Sequence, residues 1–341
     1  MKLRLKKLRD QTIVITGASS GIGLVTARQA ARRGARVVLN ARNEQALSTI
    51  VGDIVSAGGR ASYVVGDVGR FDDVLRIADE AVRSFGGFDT WVNNAGVSIY
   101  GPVLDQSLDD QRRLFETNYW GVVHGSMVAC QHLRTRGGAL INIGSVLSDR
   151  AIPVQGTYCA SKHAVKGYTD ALRMELQKEG SPVSVTLIKP SAIDTPYIHH
   201  AKNLLETEPL NPPPVYSPDI VAHAILHCAQ HPERDVIVGG AGRVLSEVGH
   251  HAPQLMDTWM EATMFAVQRS DHPKSDRRAD SLHAAVEDGE ERGGYSGHVA
   301  KSSIYTQAAL HPLVVGSLIV GTGLAAISLW KSRSRDGTPN S

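Results

Sequence analysis

Tyr158 and Lys162 are the residues of this chain whose types and spacing best fit proton transfer. They lie four positions apart, so on a helix they would share one face. An unperturbed tyrosine titrates near ~10, which is too high for efficient proton transfer at neutral pH. A cation within several ångströms favours the phenolate and lowers the pKa, and Lys162 would supply that charge. The pair predicts a general acid/base, although each residue alone also fits an ordinary helix surface.

A glycine-rich segment is the second candidate site, and it reads Thr16-Gly17-Ala18-Ser19-Ser20-Gly21-Ile22-Gly23. Glycines allow the backbone to turn sharply and to approach a pyrophosphate, whose charge is favoured at a helix N-terminus. Such a turn also fits a plain structural role. Its position between the first predicted strand and the first predicted helix favours a dinucleotide site.

The end of the second predicted strand indicates which dinucleotide is used. An acidic residue there hydrogen-bonds the ribose 2′-hydroxyl, whereas a nearby arginine accommodates a 2′-phosphate. This chain has Asn40 at that position and Arg42 two residues later. The residues therefore favour NADP(H) over NAD(H), with a surface position at the start of a helix as the other interpretation of Arg42.

Short apolar, β-branched runs alternate with longer helical patterns up to about residue 240. The predicted strands are Thr12–Thr16, Arg36–Asn40, Ala61–Gly66, Thr90–Asn93, Ala139–Ile143, Val183–Lys189 and Asp235–Val238. The predicted helices are Gly21–Arg33, Glu44–Ala57, Asp72–Phe85, Leu108–Leu133, Tyr158–Lys178 and Pro218–Gln230. This alternation predicts a Rossmann-like α/β fold, a doubly wound parallel sheet in a single catalytic domain over residues 1–245.

The remainder of the chain divides into three predicted parts. A helical extension covers residues 246–269, and a polar, glycine-rich segment over 270–305 reads as a flexible linker. Residues 312–330 are uncharged and mostly apolar, which predicts a transmembrane helix; eighteen such residues would span ~27 Å. A buried or interfacial helix is the alternative for this tail.

Composition excludes several classes of function. Lys+Arg is 36 and Asp+Glu is 34, so no global charge indicates nucleic acid as a partner. The three cysteines form no CxxC pair, and the adjacent histidine pairs His199-His200 and His250-His251 lack metal-ligand spacing; no metal is expected. No apolar stretch precedes Arg9, so we expect no signal peptide and a cytoplasmic catalytic domain, membrane-associated if the tail spans.

The spacing of five motifs over residues 10–240 resembles the short-chain dehydrogenase/reductase family. Tyr158-Cys-Ala-Ser-Lys162, with Ser145 thirteen positions earlier, resembles its catalytic signature, and the glycine-rich turn matches its Thr-Gly-x-x-x-Gly-x-Gly pattern. The segment Asn93-Asn94-Ala95-Gly96, Asn118 and Asp67 match three further family positions.

The resemblance implies a role for each matched residue. Tyr158 handles the proton, Lys162 also contacts the nicotinamide ribose, Ser145 donates to the substrate oxygen, and Asn118 anchors a water for proton relay. The implied cofactor-binding residues are Gly17, Ser19, Ser20, Gly21, Ile22, Gly23, Asn40, Arg42, Asp67, Val68, Asn94, Ala95, Gly96, Tyr158, Lys162, Pro190, Ile193 and Thr195. The chain departs from the family in having Ser191 after Pro190 where glycine is usual, which puts the contacts of Ile193 and Thr195 in doubt because serine is restricted at positive φ.

The expected activity is NADP(H)-dependent interconversion of a carbonyl and a secondary alcohol. The segment 192–217 carries several apolar residues and few charges, so a lipophilic small-molecule substrate is expected, although a self-packed loop fits equally well. Two other hypotheses are a catalytically quiet, membrane-tethered nucleotide-binding scaffold and an epimerase or dehydratase of the same fold. The resemblance also implies a homodimer or homotetramer formed through the helices of residues 108–133 and 158–178.

Overall fold

A seven-stranded parallel sheet forms the centre of the computed structural model, which describes residues 3–275 and 279–310. Its strands are β1 (Thr12–Thr16), β2 (Arg36–Ala41), β3 (Arg60–Val65), β4 (Thr90–Asn93), β5 (Gly138–Ile143), β6 (Val183–Pro190) and β7 (Asp235–Val238). The spatial order is β7-β6-β5-β4-β1-β2-β3, and every pairing within this sheet is parallel. The predicted Rossmann-like α/β fold is confirmed.

Helices cover both faces of the sheet. The helices of seven or more residues are α1 (Gly21–Arg32), α2 (Glu44–Ser56), α3 (Phe71–Phe85), α4 (Leu108–Phe115), α5 (Gly121–Arg136), α6 (Gly156–Lys178), α7 (Pro218–Cys228), α8 (Gly240–His251), α9 (Pro253–Val267) and α10 (Ile304–Leu310). Because side chains alternate along a strand, Ile13 and Ile15 of β1 join one core cluster while Val14 joins another on the opposite face. The apolar runs are thus buried on both sides, as strands in a parallel sheet require.

The predicted helix over residues 108–133 is interrupted in the structure. Between α4 and α5 lies one π-helical segment, Glu116–Trp120, which carries Asn118. Such π segments occur often at functional sites because the widened turn redirects a side chain. Sequence periodicity did not indicate the interruption, since the apolar pattern runs through it.

Short elements surround the sheet edge where the strands end. They include the 3-10 turns Leu8–Asp10, Val103–Asp105 and Val146–Ser148 and the single α-turn Tyr197–His200. Three small two-stranded pairings are parallel Ile99–Tyr100 with Lys202–Asn203, antiparallel Thr207–Pro209 with Arg269–Pro273, and parallel Val215–Tyr216 with Val299–Ala300.

The polar segment after α9 is attached to the domain, which differs from the predicted free linker. Residues 279–300, called the strap below, run along the sheet edge and end in the small pairing with Val215–Tyr216. Leu282 is fully buried, and α10 buries Leu310 in the core beneath the sheet. The strap is therefore held by the buried Leu282 and by hydrogen bonds from the domain to its backbone. Its polar composition does not indicate these contacts.

The predicted transmembrane helix at residues 312–330 lies outside the described residues. Within residues 3–275 and 279–310, no helix has the length and apolar character needed to cross a membrane.

Candidate active site

A cavity of about 400 Å³ opens at the carboxyl edge of the sheet. It runs from the ends of β1 and β2 to the loops after β5 and β6, the position at which open α/β sheets bind ligands. Most predicted site residues line it: Gly17, Ser19, Ser20, Gly21, Ile22, Asn40, Arg42, Asp67, Val68, Asn94, Ala95, Gly96, Ser145, Tyr158, Lys162, Pro190, Ile193 and Thr195. Gly23 and Asn118 lie behind this wall and are not among the lining residues.

The glycine-rich turn is packed against the loop that follows β4. Gly17 has φ +61°, and a Cβ there would lie 2.6 Å from the Cα of Ala95. A Cβ on Gly23 would lie 2.2 Å from the carbonyl oxygen of Gly17. Both positions therefore require glycine, which leaves the backbone turned tightly at the start of α1, a cradle of the kind that a pyrophosphate fills.

Asn94 fixes the position of this turn. Its Nδ2 donates to the carbonyl oxygens of Thr16 at 3.0 Å and Gly17 at 2.9 Å. The Thr16 hydroxyl accepts in turn from the backbone N–H groups of Asn94 at 3.0 Å and Ala95 at 3.2 Å. The Asn-Asn-Ala-Gly segment thus holds the coenzyme end of the cavity rather than only bordering it.

At the end of β2, Asn40 and Arg42 have different environments. The buried Asn40 donates through Nδ2 to the carbonyl oxygens of Val64 and Gly66, both at 3.1 Å. Arg42 donates to the carbonyl oxygens of Ser281 and Leu282 in the strap. Burial and the neighbouring Arg113 lower the pKa of Arg42 from its usual value, while nearby carboxylates oppose this shift.

Asp67 lines the same cavity as Arg42. Its carboxylate accepts from the Gly69 N–H at 3.0 Å and from the Arg113 guanidinium at 2.5 Å. These contacts orient the loop after β3, whose Val68 is buried against Gly121 at the start of α5.

Tyr158 and Lys162 lie on the first turns of α6, with the Lys162 Nζ 5.7 Å from the centre of the Tyr158 ring. Lys162 is buried, and its Nζ donates to the carbonyl oxygen of Ile143 at 2.8 Å. Burial lowers the pKa of Lys162 to about 8 and raises the pKa of Tyr158 to about 12. The predicted lowering of the tyrosine pKa by Lys162 is therefore wrong for this structure, in which loss of solvation raises that pKa.

Hydroxyl groups surround the Tyr158 phenol. Side-chain hydrogen bonds with Tyr197 and Ser145 partly oppose the rise of its pKa. The Ser145 Oγ accepts from the Leu147 N–H at 3.1 Å, which holds it at the start of the turn Val146–Ser148 and leaves its proton available to donate. Tyr197 lies with its ring centre 5.8 Å from that of Tyr158.

Asn118 connects a loop to a helix and does not line the cavity. Its Oδ1 accepts from the Val97 N–H at 2.8 Å, and its Nδ2 donates to the Val97 carbonyl at 3.0 Å and to Ser161 Oγ at 3.1 Å. The side chain thereby ties the loop after β4 to α6. This makes Asn118 a positioning residue in the described structure.

The loop after β6 carries Ser191 without strain. Among the described residues, Val154 is the one non-glycine with positive φ, so Ser191 adopts an ordinary conformation. Its N–H donates to the Val238 carbonyl at 2.9 Å, extending the pairing of β6 with β7. The departure from Pro-Gly is accommodated, and Ile193 and Thr195 still reach the cavity.

Several lining residues were not predicted from the sequence. Tyr100, Leu245, Trp259 and Met264 line the end of the cavity beyond Tyr158, while Ser281, Ala285, Val286 and Asp288 of the strap line the coenzyme end. The aromatic and aliphatic residues fit ordinary core positions, and the strap has no periodicity, so neither group carries a local signal. Cys159 is buried with its pKa raised to about 11 by burial, consistent with helix packing.

Comparisons with known proteins give the class of this chain. The family model for short chain dehydrogenases matches residues 11–204. An uncharacterized oxidoreductase of Bacillus subtilis, YxnA, is 46% identical over 323 residues, which are 94% of this chain and 91% of that protein. The chain belongs to the short-chain dehydrogenase/reductase family of oxidoreductases.

Two solved structures have the same fold. A short-chain dehydrogenase/reductase from Burkholderia phymatum in complex with NAD has a TM-score of 0.65 at 25% identity, covering 81% of this chain and all (100%) of that one. An alcohol dehydrogenase from the archaeon Thermococcus sibiricus, complexed with 5-hydroxy-NADP, has a TM-score of 0.59 at 25% identity, covering 67% of this chain and 95% of that one.

Proposed function

We propose that this oxidoreductase interconverts a carbonyl and a secondary alcohol on a lipophilic substrate, with NADP(H) as coenzyme and Tyr158 as general acid/base. The observation that carries the proposal is the convergence of the Tyr158 phenol, the Lys162 ammonium and the Ser145 hydroxyl in the cavity that also contains the glycine-rich turn. The family supplies the class of reaction, and these side chains supply the proton chemistry.

The proton chemistry follows from the groups around Tyr158. When bound, the coenzyme supplies or accepts the hydride at the substrate carbon. In reduction, Tyr158 Oη gives its proton to the substrate oxygen, and Ser145 Oγ donates a hydrogen bond to the same oxygen. Burial raises the pKa of Tyr158 to about 12, so the phenol is protonated at neutral pH, which is the form that a general acid needs in reduction.

The residues present fit a nicotinamide dinucleotide, and several would hold it. The cradle of Gly17 and Gly23 suits the pyrophosphate, and the family resemblance assigns the nicotinamide ribose to Lys162. Asn40 in place of an acid, together with Arg42, supports NADP(H). The solved neighbours contain an NADP derivative in one case and NAD in the other, so the preference rests on these two residues.

The substrate end of the cavity supports a lipophilic compound. Its lining is apolar or aromatic around the reacting hydroxyls: Tyr100, Leu147, Ile152, Tyr197, Leu245, Trp259 and Met264. Apolar walls with a few convergent polar groups are typical of sites for hydrophobic small molecules. A ketone or aldehyde with a bulky hydrocarbon body would meet both features.

The proposed assembly is a homodimer or homotetramer through α4, α5 and α6. Exposed Leu108, Met127 and Met174 on these helices supply apolar surface for such contacts. Attachment to a membrane through residues 312–330 stays a prediction from the sequence.

Replacing Tyr158 by phenylalanine tests the proposed reaction. The change removes only the phenolic hydroxyl, and we expect kcat to fall by about 10²–10⁴-fold because the general acid is lost. NADPH consumption across a panel of lipophilic ketones and aldehydes measures this loss. Tyr168→Phe is the matched control, since Tyr168 lies on the same helix but does not line the cavity.

Full turnover by the Tyr158→Phe protein would contradict the mechanism. A wild-type protein that binds NADPH but reduces no member of the panel, and oxidises no corresponding alcohol, would instead favour a nucleotide-binding scaffold.

A further inference from the structure

The strap contacts the groove at the positions that the proposed function assigns to the adenosine half of the coenzyme. Arg42, at the end of β2, donates to the Ser281 and Leu282 carbonyls. Asn43 donates through Nδ2 to the Val286 carbonyl at 2.7 Å, and the Gly21 N–H donates to the Glu290 carbonyl at 2.9 Å. Hydrogen bonds from Arg42, Asn43 and Gly21 therefore fix the position of the strap along the groove.

This position brings one carboxylate into the groove. The Ser19 hydroxyl, within the glycine-rich turn, donates to Oδ2 of Asp288. Oδ1 of the same carboxylate is buried and accepts no hydrogen bond from any of the described residues. Asp288 lines the cavity together with Ser19, Asn40 and Arg42.

Because Oδ1 is covered by protein atoms, the carboxylate acts on a ligand in the cavity through its negative charge. A 2′-phosphate has oxygen acceptors and negative charge, and it would be repelled by the carboxylate at short range.

In dinucleotide-binding folds the acid that accepts from the ribose 2′-hydroxyl comes from the end of the second strand. Here that position is Asn40, and its amide nitrogen is bonded to the Val64 and Gly66 carbonyls. The strap adds a carboxylate from residue 288, near the other end of the chain. Asp288 lines the same cavity as Arg42, which would attract a 2′-phosphate, and is close enough to act on its charge.

We propose that Asp288 is a coenzyme-specificity residue, whose negative charge opposes binding of the 2′-phosphate that Arg42 attracts. The proposal rests on the proposed function in requiring a nicotinamide dinucleotide in this groove. Asp67 also lines the groove, but its carboxylate is paired with Arg113, so the preference of the protein then depends on the balance between Arg42 and Asp288. Loss of the Asp288 charge alone would therefore increase the preference for NADP(H) over NAD(H).

Binding of each coenzyme without substrate tests this balance. The dissociation constants of NADPH and NADH are measured by fluorescence titration on the full chain for the wild type, Asp288→Asn and Glu287→Gln. Glu287 is the exposed neighbour of Asp288, so its variant makes the same change of charge outside the groove. We expect Asp288→Asn to shift the ratio of the two constants about tenfold toward NADPH, while Glu287→Gln leaves it within about twofold.

The dependence of NADPH affinity on ionic strength distinguishes electrostatic repulsion by Asp288 from a change in the shape of the site. The gain in NADPH affinity of Asp288→Asn is expected to shrink as ionic strength rises, because screening weakens the repulsion present in the wild type. Asp288→Ser, which is smaller and keeps a hydroxyl for Ser19, should shift the ratio in the same direction. Equal melting temperatures establish that each variant is folded.

An unchanged ratio in both Asp288 variants, or a shift toward NADH, overturns the proposal. If the wild type binds neither dinucleotide, this proposal and the proposed function both fail. If both dinucleotides bind with the expected shift but Tyr158→Phe retains turnover, the proposed reaction alone fails.

Discussion

Burial acts on Tyr158 and Lys162 in the same physical way and moves their pKa values in opposite directions. Burial favours the neutral form of each group because charge is poorly solvated inside the protein. The tyrosine becomes a weaker acid, with a pKa of about 12, and the lysine a weaker base, with a pKa of about 8. The phenol is protonated at neutral pH, as a general acid in reduction must be, and its raised pKa makes it a weak acid.

The buried ammonium should make both activity and stability depend on pH. Reductase activity is expected to decline as pH rises through about 8, where Lys162 loses its proton. Since the folded pKa lies below the ordinary 10.5, the unfolded chain binds more protons between these values, and stability should rise with pH across this window. Below pH 8 the buried charge costs about 3 kcal/mol, so Lys162→Met should raise the free energy of unfolding while abolishing turnover.

Urea unfolding of the wild type and Lys162→Met at pH 7 and pH 10 measures this effect. Lys166→Met, on the same helix but partly exposed and paired with Asp170, is the control and should show no such pH-dependent difference. Parallel stability profiles for the wild type and Lys162→Met would contradict the assigned cost of burial.

At the scale of elements, the start of α1 depends on the absence of a side chain at Gly23. A Cβ there would lie 2.2 Å from the Gly17 carbonyl oxygen, so the turn must move to accept it. We expect Gly23→Ala to weaken NADPH binding by more than about tenfold, because the cradle for the pyrophosphate is displaced. Calorimetric titration with NADPH measures the change.

Gly52→Ala provides the matched comparison within α2. Gly52 is exposed, and a Cβ there meets no atom within 4 Å. That variant should keep its NADPH affinity and gain up to about 1 kcal/mol of stability, because alanine favours a helix. Equal NADPH affinities in the two variants would show that the close approach at Gly23 is not needed for binding.

The elements themselves were largely predictable because each strand is a short apolar run and each helix keeps its own period. The strands Thr12–Thr16, Thr90–Asn93 and Asp235–Val238 have the predicted bounds. The π segment around Asn118 was not predictable, since no residue type marks it. It arises where the Asn118 side chain bonds Val97 and Ser161, two residues from other elements.

At the scale of the whole molecule, the proposed assembly places an apolar face of α4 and α5 between subunits. Met127 on α5 is 54% exposed, so a glutamate there would put a charge into the interface. We expect the wild type to be a dimer or tetramer and Met127→Glu to dissociate it, as measured by light scattering on a sizing column. Leu255→Glu, at a more exposed position on α9, should leave the assembly intact; a monomeric wild type would refute the proposed interface.

The sequence by itself determined the residues whose relations are local. Tyr158 and Lys162 share a helix face because they are four apart, and the glycine-rich turn follows its strand directly. The alternation of short apolar strands with helical patterns is visible in the sequence, so the α/β fold could be predicted as well.

Only the tertiary structure decided the direction of the pKa shift at Tyr158 and the position of the strap. Burial depends on every element that surrounds a group, and spacing along one helix does not contain it. The strap is held to Arg42, Asn43 and Gly21 by its backbone carbonyl oxygens, which are the same for every residue type. Such contacts leave no pattern in the sequence. The contact between the Asp288 carboxylate and Ser19 could therefore not be predicted from the sequence.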